Sequence, residues 1–269
     1  MGTTTTETRG ASSATRATDV AVTAGAKPWL VATVATVRRE TPTASTLVLD
    51  VDGWPGHLAG QHVDVKLTAE DGYSAQRSYS LASAPDGTTR IEIAVQNVAD
   101  GEVSPYLVES VEVGDRIEIR GPVGRWFVWR PSQPSETPSP PVLLVGGGSG
   151  IVPLRAMVRA QASATGGRVP FRVLYSVREP AEVYFADEWA HPPAGVDVTM
   201  IHTRRAPAGS TRPLGRITLE DIDAHGWPAE FEPRCYICGP TNFVDTVADM
   251  LVARGHSPAN IRTERFGPS

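Results

Sequence analysis

The chain is short of several residue types that would otherwise open whole classes of function. Of its 269 residues only two are cysteine, Cys235 and Cys238, and they stand together in CYIC. No second Cys or His pair lies at matching spacing, so no metal site is expected, and two thiolates cannot hold a four-thiolate iron–sulfur cluster. A redox dithiol normally opens a helix. Here Arg234–Cys235–Tyr236–Ile237–Cys238 alternates as a strand does, which sends the two thiols to opposite faces. The chain also lacks an excess of basic charge. Its 25 basic and 30 acidic residues leave a net −5, which argues against non-specific nucleic-acid binding. No apolar run is long enough to span a membrane. Residues 1–26 lack aromatics and lack the apolar core of a signal peptide. Their Thr/Ala/Ser-rich composition predicts a disordered tail, or a cloning or annotation artefact, and a cytoplasmic location.

What is present centres on Pro141–Met157, PVLLVGGGSGIVPLRAM. Val142–Val145 reads as a buried strand, and Ile151, Leu154, Met157 and Val158 recur at helical spacing. Between them stand Gly146–Gly148, Ser149 and Gly150. Strand, glycine turn and helix together point backbone N–H groups and a positive dipole end at an anion, and glycines let a pyrophosphate approach. Pro153 fits the first helical turn. The alternative is a glycine-rich turn with no ligand.

Upstream, six short strands are predicted: residues 30–37, 45–51, His62–Thr68, Gln76–Ser83, Arg90–Gln96 and Asp115–Arg120. Turn-rich stretches separate them, as in a small antiparallel barrel. One helix interrupts them, Ser104–Ser110, with Ser104 as its N-cap and Pro105 first. PSQPSETPSPP at 131–141 has too many prolines for a helix or central strand and marks a linker. The domains expected are thus a tail at 1–26, a barrel at 27–131, a linker at 132–141 and a second domain at 142–269. In that second half strands alternate with helices: Val142–Gly146, Ile151–Ser163, Phe171–Ser176, Phe185–Ala190, Val196–Ile201, Thr218–Asp223, Cys235–Cys238, Asn242–Arg254 and Ile261–Phe266. Such alternation implies a doubly wound parallel sheet that binds ligands at the carboxyl ends of its strands.

Four further clusters carry chemistry. Arg77–Ser78–Tyr79–Ser80 places an arginine able to fork onto phosphate on the same strand face as a flat ring. Gly101–Glu102–Val103–Ser104 opens the helix and makes a second small anion site. Gly121–Phe127 is a turn ending the barrel. Thr263–Glu264–Arg265–Phe266 lies in the last predicted strand. Each also has a plain structural reading as an ordinary strand or turn.

RSYS, GEVS, GPVGRW, GGGSGIVP, CGP and TERF, in this order over about residues 30–267, resemble the ferredoxin–NADP reductase superfamily. The resemblance implies an antiparallel flavin-binding β-barrel followed by a parallel-sheet nicotinamide-binding domain. It assigns the flavin pyrophosphate to Arg77 and to the Gly101, Val103 and Ser104 loop, which favours FAD over FMN, and counts Ser78 among the cofactor-binding residues. Tyr79 would stack on the isoalloxazine and Ser80 would bond near its reactive nitrogen. Gly147, Gly148 and Gly150 would hold the nicotinamide cofactor's pyrophosphate, while Cys238, Gly239 and Pro240 would border the nicotinamide. Ser80, Cys238, Glu264 and Phe266 form the implied catalytic group, with Glu264 a carboxylate close to the transferred hydride. Phe266 is either an aromatic cover over the flavin or a core residue of the last strand. Gly267–Pro268–Ser269 follow it, so it lacks the terminal carboxylate of some relatives.

NADPH-using bacterial members carry arginines at places resembling Arg178, Arg204 and Arg216, beside Thr203, so NADPH is expected over NADH. Three solvated surface arginines are the alternative. With no fused iron–sulfur or haem module expected, electrons would leave to a separate acceptor of the ferredoxin or flavodoxin type, steered by basic residues near the flavin edge; Arg125 and Arg130 lie close to the barrel's exit turn. A monomer is expected. The alternatives within the family are a reductase subunit dedicated to an oxygenase or molybdenum oxidoreductase, and a non-catalytic nucleotide-binding regulatory subunit.

Overall fold

A computed structural model describes residues 1, 27–131, 139–164 and 169–267. The expected tail, Met1 apart, and the linker's 132–138 lie outside the described residues.

Six strands form the first layer: β1 (Leu30–Thr41), β2 (Ala44–Val51), β3 (His62–Thr68), β4 (Ser74–Ser80), β5 (Arg90–Gln96) and β6 (Arg116–Val123). All pair antiparallel, in the order β4-β3-β6-β1-β2-β5. A bridge from Leu81 to Ile93 joins the two ends, so the sheet curls towards closure as a barrel. Alternate residues point inward. Val63, Val65, Leu47, Leu49, Ile91, Ile93, Ile117 and Ile119 build one apolar core.

Two boundaries differ from the pattern reading. The ETPTA breaker is only two residues wide, because β1 and β2 pair up to Thr41 and Ala44 around a turn at Pro42–Thr43. Strand β4 begins and ends earlier than the alternation of Gln76–Ser83 suggested, and only the Leu81 bridge continues it. The predicted short helix forms as a π-turn, Tyr106–Ser110, and Ser104 does not cap it. The Ser104 hydroxyl accepts instead from the Val98 N–H at 3.1 Å, tying the glycine loop together.

The second layer is a five-stranded parallel sheet. Its elements are β7 (Val142–Gly147), α1 (Ile151–Ala162), β8 (Phe171–Val177), α2 (Ala186–Ala190), β9 (Val196–His202), α3 (Leu219–His225), β10 (Arg234–Pro240), α4 (Thr241–Ala253) and β11 (Ile261–Phe266). The strand order is β11-β10-β7-β8-β9. Buried on both faces, β7 reads as an unbroken apolar run. Leu143 and Val145 enter one core while Val142 and Leu144 enter the other. Helix α3 starts cleanly because Thr218 and Asp221 form a reciprocal capping box.

The core containing Val142 and Leu144 is shared with the barrel, which contributes Ala44, Ala59, Ala82 and Ala94; Phe127 and Trp129, just beyond β6, join them. Helix α1 lies in this seam, and ten of its twelve residues are buried, so it is enclosed nearly all round rather than on one stripe. Edge-to-face contacts of Trp129 with Phe171 (5.1 Å) and Phe127 with Tyr236 (5.6 Å) cross the same seam. The Tyr236 hydroxyl adds a bond to Val128 O at 3.0 Å. Among the described residues no helix is long and apolar enough to cross a membrane.

Candidate active site between the barrel and the sheet

Strand β4 carries Arg77 and Tyr79 on one face. The Tyr79 ring is half-buried against the barrel core, and burial pushes its phenol up to about 12 despite the nearby Arg77 charge. Arg77 is exposed, with Nη2 3.0 Å from Glu102 Oε2 of the glycine loop. The Tyr73 hydroxyl donates to the other oxygen of the same carboxylate. That hydrogen bond first, and the Arg77 charge with it, hold the Glu102 carboxyl below its usual range against a small burial effect. The Ser78 side chain is held elsewhere. Its hydroxyl turns to the opposite face and donates to Asp64 at 2.7 Å, where Arg120 binds the second oxygen, so only its backbone remains for a ligand.

In the glycine loop the side chains of Val103 and Ser104 are likewise committed, Val103 to the barrel core and Ser104 to Val98. What the loop offers an anion is therefore backbone. Gly101 is needed for closeness: a Cβ there would lie 2.9 Å from Ser104 Oγ and 3.0 Å from Val98 O.

The two halves meet at the end of β4. Ser80 Oγ donates to Glu264 Oε1 on β11 at 3.3 Å. Burial raises the Glu264 carboxyl to about 7, which the Ser80 bond only partly offsets. Cys238, paired in register with Glu264, is fully buried, and burial together with the Glu264 charge pushes its thiol well up. Cys235 lies in the other core with its thiol raised by burial to about 12. The thiols thus occupy opposite faces, as alternation predicted, and neither is a ready nucleophile.

Beside this junction lies a cavity of about 600 Å³ at the carboxyl ends of the parallel strands. The turn after β7 supplies Gly147, Gly148 and Ser149, the end of β8 supplies Ser176–Arg178, and Thr203, Arg204 and Arg216 follow β9. Pro240, Asn242 and Phe243 at the start of α4 and Phe266 of β11 complete the wall, and Gln96 enters from the barrel. Gln96 Oε1 accepts from Ser149 Oγ at 3.1 Å.

The glycines of this turn divide by purpose. Gly148 is left-handed (φ +55°) with open space where a Cβ would be, which is a cradle a ligand can fill. Gly147 faces the Phe243 ring as well as the cavity. Gly150 serves packing. It does not line the cavity, and a Cβ there would sit 2.1 Å from Cys238 O, so it is small to let α1 pack on β10. Gly239 is similar, hemmed in by Phe243 and Gly147.

Of the three arginines singled out, Arg178 lies 3.9 Å from Glu182. Arg204 and Arg216 make no ion pair among the described residues, whereas neighbouring Arg205 is held by Glu179 at 3.1 Å. Two cations without an ion pair among the described residues face a cavity bordered by the glycine turn, so the residues fit a dinucleotide. Sequence reasoning missed Arg155, a fully buried arginine of α1 that reaches Ala82 O, Glu92 and Glu188. Nothing in its helical context marks it, since its partners come from distant segments.

A curled antiparallel sheet with an arginine–tyrosine strand, joined to a parallel sheet with a phosphate-type turn, defines a two-domain flavin- and nicotinamide-binding oxidoreductase. Residues 36–128 match the oxidoreductase FAD-binding domain family and residues 144–249 the oxidoreductase NAD-binding domain family. The chain therefore carries an oxidoreductase FAD-binding domain followed by an oxidoreductase NAD-binding domain, in the two-domain fold of the ferredoxin–NADP reductases. Among curated relatives, it is 29% identical over 216 residues to the glycine betaine monooxygenase reductase subunit of Chromohalobacter salexigens, covering 77% of this chain and 55% of that one. It is 31% identical over 217 residues to the ferredoxin–NAD(P)(+) reductase component of the naphthalene 1,2-dioxygenase/salicylate 5-hydroxylase systems of Ralstonia sp., covering 78% and 60%. The chain thus spans little more than half the length of these relatives. The FAD/NAD-binding domain of a Vibrio cholerae nitric oxide dioxygenase superposes with a TM-score of 0.76 at 27% identity, covering 89% of this chain and 99% of that one.

Proposed function

We propose that this chain is an FAD-dependent reductase that oxidises NAD(P)H, with NADPH favoured, and hands the electrons to a separate one-electron carrier of the ferredoxin or flavodoxin type. The observation that carries the reading is the Ser80–Glu264 contact, which brings the end of the flavin-motif strand to the carboxyl end of the nucleotide sheet. Bound flavin would supply the step from two-electron hydride acceptance to one-electron release. Arg77 and the backbone of Gly101–Ser104 would hold its pyrophosphate, and Tyr79 would lie flat against its ring. Ser80 and Glu264 would hold a proton next to the reacting atoms, because the Glu264 carboxyl titrates at about 7. Gly147 and Gly148 would hold the nucleotide's pyrophosphate, with Cys238, Gly239 and Pro240 at the strand end beside it. Arg204 and Arg216, with Thr203, would receive a 2′-phosphate, and Arg178 would do so after leaving Glu182. Phe266 lines the cavity and would cover the flavin until the nucleotide enters.

The names of the relatives favour a narrower second reading, a reductase component dedicated to one oxygenase system. Arg125 and Arg130 would then steer an acidic carrier. Anaerobic titration tests the main reading. The yellow protein should bleach with NADPH, and Arg204→Ala should raise the KM for NADPH about tenfold while leaving NADH nearly unchanged. A yellow protein inert to both nucleotides would instead mark a non-catalytic regulatory subunit. Equal effects of Arg204→Ala on both nucleotides would remove the 2′-phosphate role.

A further inference from the structure

Arg155 stands on α1, five residues after Gly150, and its side chain is 1% exposed. Its Nη1 donates to Ala82 O at 3.1 Å and to Glu92 Oε2 at 2.6 Å. Its Nε and Nη2 reach Glu188 at 3.0 and 2.5 Å, and its guanidinium stacks 3.9 Å over the Phe185 ring. Arg159, one turn on, meets both carboxylates, at 3.3 and 2.8 Å. A guanidinium is tolerated at this depth only with its charge matched and its donors satisfied. An apolar side chain would fill the same seam without those requirements.

The partners explain the choice. Ala82 lies two residues beyond Ser80 on the run that carries Arg77 and Tyr79, and its own N–H donates to Glu92 O at 2.7 Å. Glu92 lies on β5, the strand that also sends Gln96 to Ser149 in the phosphate turn. One guanidinium therefore touches the extension of the flavin-motif strand, and the helix bearing it begins at the nucleotide turn. We propose that Arg155 is a positioning residue that fixes the Arg77–Ser80 strand against the Gly147–Gly150 turn, and so sets the approach of nicotinamide to flavin. This rests on the function proposed above. The shared apolar seam and the Tyr236–Val128 bond hold the halves together without it; Arg155 adds directional bonds, which an apolar contact lacks.

The test uses the full chain, with Arg155→Lys and the milder Glu92→Gln, which keeps shape and removes charge. Without cofactors, amide hydrogen exchange at Ala82 should speed up in both variants while that of Trp129, bonded to Ala59 O, stays unchanged. With FAD bound, rapid mixing with NADPH should show the limiting rate of flavin reduction reduced by about tenfold or more, with flavin and nucleotide Kd each held within about threefold. Unchanged exchange at Ala82 together with an unchanged reduction rate overturns the proposal. So does a loss carried entirely by nucleotide Kd, or an equal rise in exchange at Ala82 and Trp129, either of which describes general loosening. If the wild-type flavin is reduced by neither NADPH nor NADH, the functional reading fails instead, and the exchange comparison still decides whether the clamp exists.

Discussion

Arg77 and Glu102 illustrate what single residues decide in this protein. The guanidinium proposed for the flavin pyrophosphate is already matched by a carboxylate from the loop that would bind the same group. Both side chains are about half exposed, so the pair itself is weak, but a pyrophosphate arriving there must share Arg77 with a like charge. Arg77→Ala should therefore cost flavin affinity roughly ten- to a hundredfold, while Glu102→Gln should tighten it, both read by quenching of flavin fluorescence. An Arg77→Ala protein that keeps full flavin occupancy would remove the assignment. Glu264 gives a second residue-scale prediction. Its folded carboxyl titrates at about 7, above its ordinary range near 4.5, so the folded protein holds a proton that the unfolded chain releases. Its contribution is full below about pH 4.5 and is lost as pH rises to about 7, on the order of 3 kcal/mol over the window. Glu264→Gln should flatten that part of the curve of melting temperature against pH. Phe266→Ala should strengthen nicotinamide binding and lower the NADPH/NADH ratio of kcat/KM. An unchanged ratio beside a large fall in melting temperature would make Phe266 a core residue only.

The elements show where sequence reading succeeds and where it stops. Period-two alternation placed Cys235 and Cys238 on opposite faces of β10, and helical spacing found α1 and α4 within a residue or so of their ends. Alternation misjudged β4, because Leu81–Ser83 continue the pattern while only a single bridge continues the pairing. Glycine was legible as missing bulk but not as a reason for it. Gly148 and Gly150 look alike in GGGSG, yet one opens on a cavity and the other on a carbonyl. The pair makes an element-scale prediction. Gly150→Ala should drive α1 off β10 and cost about 1–3 kcal/mol or more, seen as a falling melting temperature. Gly148→Ala should cost about 1 kcal/mol for its left-handed backbone but raise the KM for the nucleotide, since its methyl enters the cradle. Arg155 was illegible for a different reason. An arginine among apolar helical neighbours reads as a surface position until Glu92 and Glu188, 63 and 33 residues away, are seen around it.

At the scale of the whole molecule, barrel and sheet are not beads on a string. Their common core takes residues from both, and α1 is buried between them, so neither half has a finished apolar surface of its own. Heating should therefore give one calorimetric transition with matching van't Hoff and calorimetric enthalpies, and Trp129→Ala, at about 3–5 kcal/mol, should lower the stability of both halves together. Two resolved transitions would show that the seam is weaker than its burial implies. The small residues of the seam carry a consequence for how such chains can be recombined. Ala44, Ala59, Ala82 and Ala94 enter the same core as α1, and a Cβ on Gly60 would meet Met157 at 2.7 Å. This barrel has a moulded socket for one particular helix. A chimera that grafts it onto a relative's nucleotide half should inherit both cofactor motifs intact and still fail, unless the donor helix carries the matching bulk and an arginine where Arg155 stands.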